Sequence, residues 1–195
     1  MQRAAPADVR PFSGVFSHRV VFNILNNGEI MFIRHANMDD LAAISHVEKR
    51  CFPEAEAATE EEFRERLAAY ADHFWLLFDE DGNLVSFIDG MATDEPDLAD
   101  EMYRNASLHR ADGRWQMIFG LNTVPEHRGK GYAASLVRRL VEDSRAKGKK
   151  GVVLTCKEYL IPYYASFGFV DEGVSSSTHG NVVWHQMRLL FPSGA

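Results

Sequence analysis

The hydrophobic and polar positions change period along the chain, and the changes mark out elements. MFIRHA (31–36) is a short apolar run of strand length. In NMDDLAAISHVEKRCF (37–52), Leu41, Ile44, Val47 and Cys51 recur at helical spacing, with Asn37 or Asp39 placed to cap the helix and Pro53 to end it. TEEEFRERLAAYADHF (59–74) predicts a second helix: Thr59 caps, Glu62 completes a capping box, and Phe63, Leu67 and Tyr70 share a face. WLLFDEDGNLVSFIDGMAT (75–93) reads as a hairpin turning at Asp81-Gly82. Residues 96–113 predict a short helix followed by a polar loop. RWQMIFGLNTV (114–124) is apolar on both faces, which predicts a central strand. GYAASLVRRLVEDSRAKG (131–148) is a helix with Leu136, Leu140 and Val141 inward. KGVVLTC (150–156) is another buried strand, EYLIPYYASFG (158–168) a short helix with an internal proline, FVDEG (169–173) its sequel, and VVWHQMRLLF (182–191) the last strand. The order is strand, two helices, three strands, helix, strand, helix, strand. That is a mixed α/β domain with one central sheet, in which 114–156 forms a right-handed parallel crossover.

Residues 1–30 depart from this pattern. MQRAAPADVRPFSG reads as a loose arm, VFSHRVVFNIL (15–25) as a short strand and NNGE (26–29) as a turn. Met31 reads as the natural start, so the expected organisation is an N-terminal extension or arm over 1–30 and one domain over 31–195.

Charge narrows the function classes. The chain carries 28 acidic and 21 basic residues and a net charge of −7, which argues against a nucleic-acid partner and suits a cationic substrate. Its two cysteines, Cys51 and Cys156, have no metal spacing, so no metal is expected and reduced thiols are. No apolar run reaches the ~18 residues of a membrane span and the N-terminus lacks a signal-peptide core, so the expectation is a cytoplasmic protein with no membrane partner.

The connection VPEHRGKGYA (124–133) joins the central strand to the long helix. It is either a tight turn or a phosphate cradle. Unpaired N–H groups and the positive dipole end favour anions at a helix N-terminus. Gly129 and Gly131 let a phosphate approach the backbone, and Arg128 and Lys130 add charge. The spacing lacks the first glycine and the Ser or Thr of the NTPase loop and the third glycine of the dinucleotide fingerprint.

Arg128-x-x-Gly131-x-Ala133 resembles the pyrophosphate motif of the GNAT superfamily of acyl-CoA-dependent N-acetyltransferases. IPYYASFGF (161–169) is similar to that superfamily's final helix and its Tyr-x-x-x-Gly-Phe ending, here Tyr164, Gly168 and Phe169. SLHRADG (107–113), LTCKEYLIPYYASFGF (154–169) and GNVVWHQMRL (180–189) resemble the arylalkylamine (serotonin-type) enzymes and their bacterial relatives. RCFPEAEAAT (50–59) resembles the bacterial branch's substrate-side loop.

The resemblance implies a mostly antiparallel sheet, splayed between its fourth and fifth strands and flanked by helices on both faces. It implies acetyl transfer from acetyl-CoA, by direct attack, to a primary amine of a small molecule such as an arylalkylamine or a polyamine. Arg128, Gly129, Lys130, Gly131, Tyr132 and Ala133 would hold the pyrophosphate, and Leu121, Asn122, Thr123 and Val124 the pantetheine arm. Asn122 either marks the bulge that opens the sheet or is a plain strand-end residue. Tyr164 would protonate the departing thiolate, and Phe52, Glu54 and Glu56 would face the amine. An amine of pKa about 10.4 must lose a proton before it attacks. The animal enzymes' His-x-His pair falls here on Met117 and Phe119, which take no proton; Glu54, Glu56, Glu158 and His109 are the alternatives, while His179 and His185 read as surface or edge-strand residues. Phe52, Phe74, Trp75, Tyr103 and Trp115 are aromatic candidates for an apolar acceptor pocket; most are expected in the core, and Phe52 is the one chosen for the acceptor. An acetyl-cysteine on Cys156 is disfavoured against direct transfer. The partners are then acetyl-CoA and a small amine, on a monomer or homodimer. Two other readings stay open: an acetyl-CoA-binding regulatory module with little catalysis, and a protein N-terminal or lysine acetyltransferase.

Overall fold

The structure, a computed structural model, describes residues 21–24 and 30–192. The arm expected over 1–14 and the turn over 26–29 lie outside these residues, as does most of the strand expected over 15–25. In chain order the elements are β1 (Val21–Ile24), β2 (Ile30–His35), α1 (Leu41–Cys51), α2 (Glu60–Tyr70), β3 (Phe74–Phe78), β4 (Leu84–Asp89), β5 (Ala92–Thr93), β6 (Trp115–Ile118), β7 (Gly120–Thr123), α3 (Tyr132–Ala146), β8 (Gly151–Cys156), α4 (Ile161–Ala165), β9 (Val170–Val174) and β10 (His185–Leu190). Local signals account for most of them. Asn37 accepts from the Asp39 amide, and Thr59 and Glu62 form the reciprocal capping box that starts α2. Between 96 and 113 the expected helix is instead two 3₁₀ turns, Asp100–Tyr103 and Ala106–Leu108.

The strands form two five-stranded arrays, β1-β2-β3-β4-β7 and β5-β6-β8-β10-β9. The first is antiparallel throughout. In the second, β6 and β8 run parallel across the expected crossover. The single strand expected over 114–124 supplies both arrays. It breaks at Phe119, so β6 pairs with β8 while β7 pairs with β4. Among the described residues no strand pairs with the other edge of β7, and the sheet opens between β7 and β8. Asn122 does not mark this break; it lies beyond it in regular pairing with Phe87. Gly90 makes the crossing possible, since a Cβ there would stand 1.8 Å from the Met117 carbonyl oxygen.

The core runs through both arrays. Ile44, Phe63, Phe74, Phe87, Met117, Leu136, Leu140, Val152 and Met187 are all fully buried. On α3 it is Val137 that joins Leu136 and Leu140 in the core; Val141 is half-buried beside it.

Candidate active site

Two features meet where the sheet opens. The first is the turn into α3. Pro125–His127 forms a 3₁₀ turn, Arg128 is extended, and Gly129 and Gly131 both take left-handed backbone, φ 78° and 87°. An L side chain at either would be strained, although a Cβ would meet nothing within 4 Å. The glycines therefore serve the backbone path and leave open space in front of it. Gly131 caps α3, a helix of 15 residues, and the N–H groups of the first turn have no intrahelical acceptor. Arg128 stands exposed at this mouth, its Nε donating to the Thr123 carbonyl at 3.1 Å. Tyr132 turns its side chain into the core, which leaves only its backbone at the turn. Open space, helix dipole and cation together suit a pyrophosphate.

The second feature is a cavity of about 230 Å³ on the α1–α2 side of the opening, lined by Glu48, Phe52, Glu54, Glu56, Glu62, Arg66, Asp89, Tyr103, Arg104, Phe119, Thr155, His179 and Trp184 among others. The sequence-derived substrate residues Phe52, Glu54 and Glu56 are all in its wall. Of the four alternative proton acceptors, Glu54 and Glu56 are thus at the cavity, and Glu158 and His109 are not. Glu158 is exposed beyond β8, and His109 packs on Tyr70 and His73 at ring distances of 4.8 and 4.9 Å. Met117 is buried in the core, whereas Phe119 lines the cavity.

Several residues here went unread in the sequence. Arg66 and Asp89 form a buried ion pair at 3.1 Å, and Arg66 also donates to the Tyr103 carbonyl at 2.6 Å. Burial pushes the Asp89 carboxyl up to about 6, against the pull of Arg66. Glu48 is 5% exposed. Its Oε1 accepts from the Ala58 amide at 3.0 Å and its Oε2 has no partner among the described residues. Burial, and then the charge of Asp89, push the Glu48 carboxyl up to about 7. The signal for Glu48 was present: it lies four residues after Ile44, on the inward stripe of α1, where a carboxylate is out of place.

His179 is not the surface residue expected. Its ring stacks on Tyr103 at 4.8 Å, and its Nε2 lies 3.1 Å from the Glu56 carbonyl. Tyr103, one of the aromatic candidates, lines the cavity and meets the Thr155 hydroxyl at 3.2 Å. Asp100 holds the segment that carries His179 by accepting from Ser177 Oγ and the Thr178 amide. Gly180 and Asn181 then take left-handed backbone in succession, turning the segment against Glu56.

Tyr164 is 7% exposed on α4, among Tyr163, Phe169 and Cys156, and does not line this cavity. Burial holds its phenol above the usual range, so the hydroxyl is protonated at neutral pH. Cys156 lies 3.5 Å from the Met187 sulfur, and burial pushes its thiol up to about 11, a poor nucleophile. Among the described residues no three His, Cys, Asp or Glu side chains converge on a metal position, and no helix is long and apolar enough to cross a membrane.

The profile of the Acetyltransferase (GNAT) family matches residues 41–169, from α1 through the broken strand and the cradle to Phe169. The chain belongs to the GNAT acetyltransferase family. Among curated GNAT relatives, serotonin N-acetyltransferase of Mesocricetus auratus is 29% identical over 110 residues, 56% of this chain and 52% of that protein. Glucosamine 6-phosphate N-acetyltransferase 1 of Oryza sativa subsp. japonica is 33% identical over 120 residues, 60% of this chain and 67% of that protein. The match thus spans about half of the first relative's length. Among solved structures, the loading GNATL domain of CurA from Lyngbya majuscula superposes with TM-score 0.72 at 17% identity, covering 82% of this chain and 97% of that one. A GNAT family acetyltransferase from Brucella melitensis in complex with acetyl-CoA superposes with TM-score 0.54 at 19% identity, covering 85% and 91%. At these identities both show the fold.

Proposed function

We propose that the protein is an acetyl-CoA-dependent N-acetyltransferase whose acceptor is a small cationic primary amine. Acetyl-CoA supplies the activated acetyl group. The backbone of Gly129–Ala133, with Arg128, holds the pyrophosphate, and Leu121, Asn122, Thr123 and Val124 border the unpaired edge where the pantetheine arm lies. Tyr164, protonated at neutral pH, gives its proton to the departing thiolate.

The observation that carries the acceptor reading is the charge of the cavity. Five carboxylates line it, Glu48, Glu54, Glu56, Glu62 and Asp89. Buried oxygens of Glu48 and Glu56 lack partners among the described residues, which suits a ligand that brings N–H donors. Of the two arginines in the wall, Arg66 pairs with Asp89 and Arg104 is exposed; Lys157, close by, pairs with Glu56 at 2.9 Å. A phosphorylated amino sugar, the acceptor named for the rice relative, would meet one exposed arginine, Arg104, against these five carboxylates. Phe52, Tyr103, Phe119 and Trp184 supply the apolar surface that a carbon chain or ring needs.

Glu56→Gln keeps the shape and removes one charge. It raises KM for a cationic amine about threefold, the scale of a partly exposed ion pair, and leaves acetyl-CoA affinity unchanged. An unaltered amine KM contradicts the acceptor assignment.

A further inference from the structure

The amine arrives as an ammonium, and the central strand offers no acceptor for its proton. Met117 is buried in the core and Phe119 is a hydrocarbon. We propose that Glu48 is the general base, taking the ammonium proton on its Oε2. The proposal rests on the acetyltransferase reading above.

Three observations place it there. Glu48 lines the same cavity as Phe119 and Asp89, beside the opening of the sheet. Its Oε1 is fixed by the Ala58 amide at 3.0 Å, which sets the carboxylate plane and leaves Oε2 as the proton-accepting oxygen. That oxygen is buried and has no partner among the described residues. The side-chain amide of Asn122, on β7, lies close by without hydrogen-bond geometry to it; both its polar atoms are unpartnered among the described residues. Asn122 is therefore placed to orient the incoming nitrogen or a water between it and Glu48. The groups that face Glu48 are Asp89 from β4, Arg66 from α2, Asn122 from β7 and the Ala58 amide from the α1–α2 loop. Burial and Asp89 raise its proton affinity and the other three lower it, which leaves a base that titrates near the working pH.

The steps balance. Glu48 Oε2 takes one proton from the ammonium and later releases it to solvent. The amine lone pair forms the C–N bond to the acetyl carbon as the C–S bond breaks. The thiolate takes a proton from Tyr164, and the second proton lost by nitrogen passes through solvent to restore the Tyr164 hydroxyl.

The test uses the full chain and two amines of similar size: an alkylamine of pKa about 10 and a fluorinated analogue whose ammonium titrates below neutral pH. For Glu48→Gln, kcat/KM with the alkylamine falls about 100-fold or more, and its acidic limb near pH 7 disappears. Turnover of the analogue, already neutral, is largely retained. Glu48→Asp keeps a carboxylate, part of the rate and an acidic limb. Unchanged acetyl-CoA affinity in both variants shows that the fold is intact. Equal losses on both amines, or an acidic limb that persists in Glu48→Gln, would overturn the assignment. Wild-type inactivity towards both amines would overturn the proposed function, and the role of Glu48 with it.

Discussion

Glu48 carries a thermodynamic signature independent of catalysis. A carboxyl raised from about 4.5 to about 7 on folding is protonated in both states below pH 4.5 and costs nothing there. As pH rises through that window the unfolded chain ionises first, so stability falls, by about 3 kcal/mol once the pH exceeds both values. Glu48→Gln, which retains an acceptor for the Ala58 amide, is therefore expected to gain stability over the wild type as pH rises from 5 to 8 in denaturant titrations. A difference that does not vary with pH would contradict the burial account. Tyr164 makes the complementary prediction. Tyr164→Phe removes only the hydroxyl, keeps the packing on Phe169, and lowers kcat about 100-fold with little change in either KM. A kcat equal to wild type would remove Tyr164 from the proton inventory. These two residues differ in legibility. Tyr164 sits in a recognisable ending with Gly168 and Phe169. Glu48 interrupts an apolar stripe by one position, and only the cavity beside it separates a buried base from a solvated side chain.

At the scale of elements, the turn into α3 was legible because its physics is local. Two glycines in left-handed backbone and a helix N-terminus follow from the residues between Val124 and Ala133 themselves. Arg128→Glu places a negative charge at that mouth. It weakens acetyl-CoA binding by about tenfold or more in calorimetric titration, with an unchanged melting temperature because Arg128 is exposed. Unchanged affinity would contradict the cradle. The break at Phe119 was not legible, because an apolar run shows burial on both sides and not which partner strand each half takes. The turns over 100–108 escaped for a related reason. Asp100 is held by Ser177 and Thr178, far along the chain, and such long-range bonds override local helix preference.

For the whole molecule, one broken strand organises the candidate site. Because β6 and β7 belong to different arrays, the sheet opens beside the turn into α3, and α1 and α2 close an acid-rich cavity over the gap. The alternation of strands and helices announced the mixed fold. The cavity wall did not announce itself, because it is assembled from α1, α2, β4, the 100–104 turn, β8 and the 179–184 segment, which no single stretch of sequence brings together. The central claim is that this cavity selects small cationic amines for acetylation. The most direct measurement is a competition: the protein, acetyl-CoA and an equimolar mixture of an arylalkylamine, a polyamine, glucosamine 6-phosphate and a short peptide with a free N-terminus, with products quantified by mass spectrometry. The account predicts that acetylated arylalkylamine or polyamine dominates, with the sugar phosphate and the peptide far behind. Preferential acetylation of the sugar phosphate or the peptide, or no product despite tight acetyl-CoA binding, would contradict it.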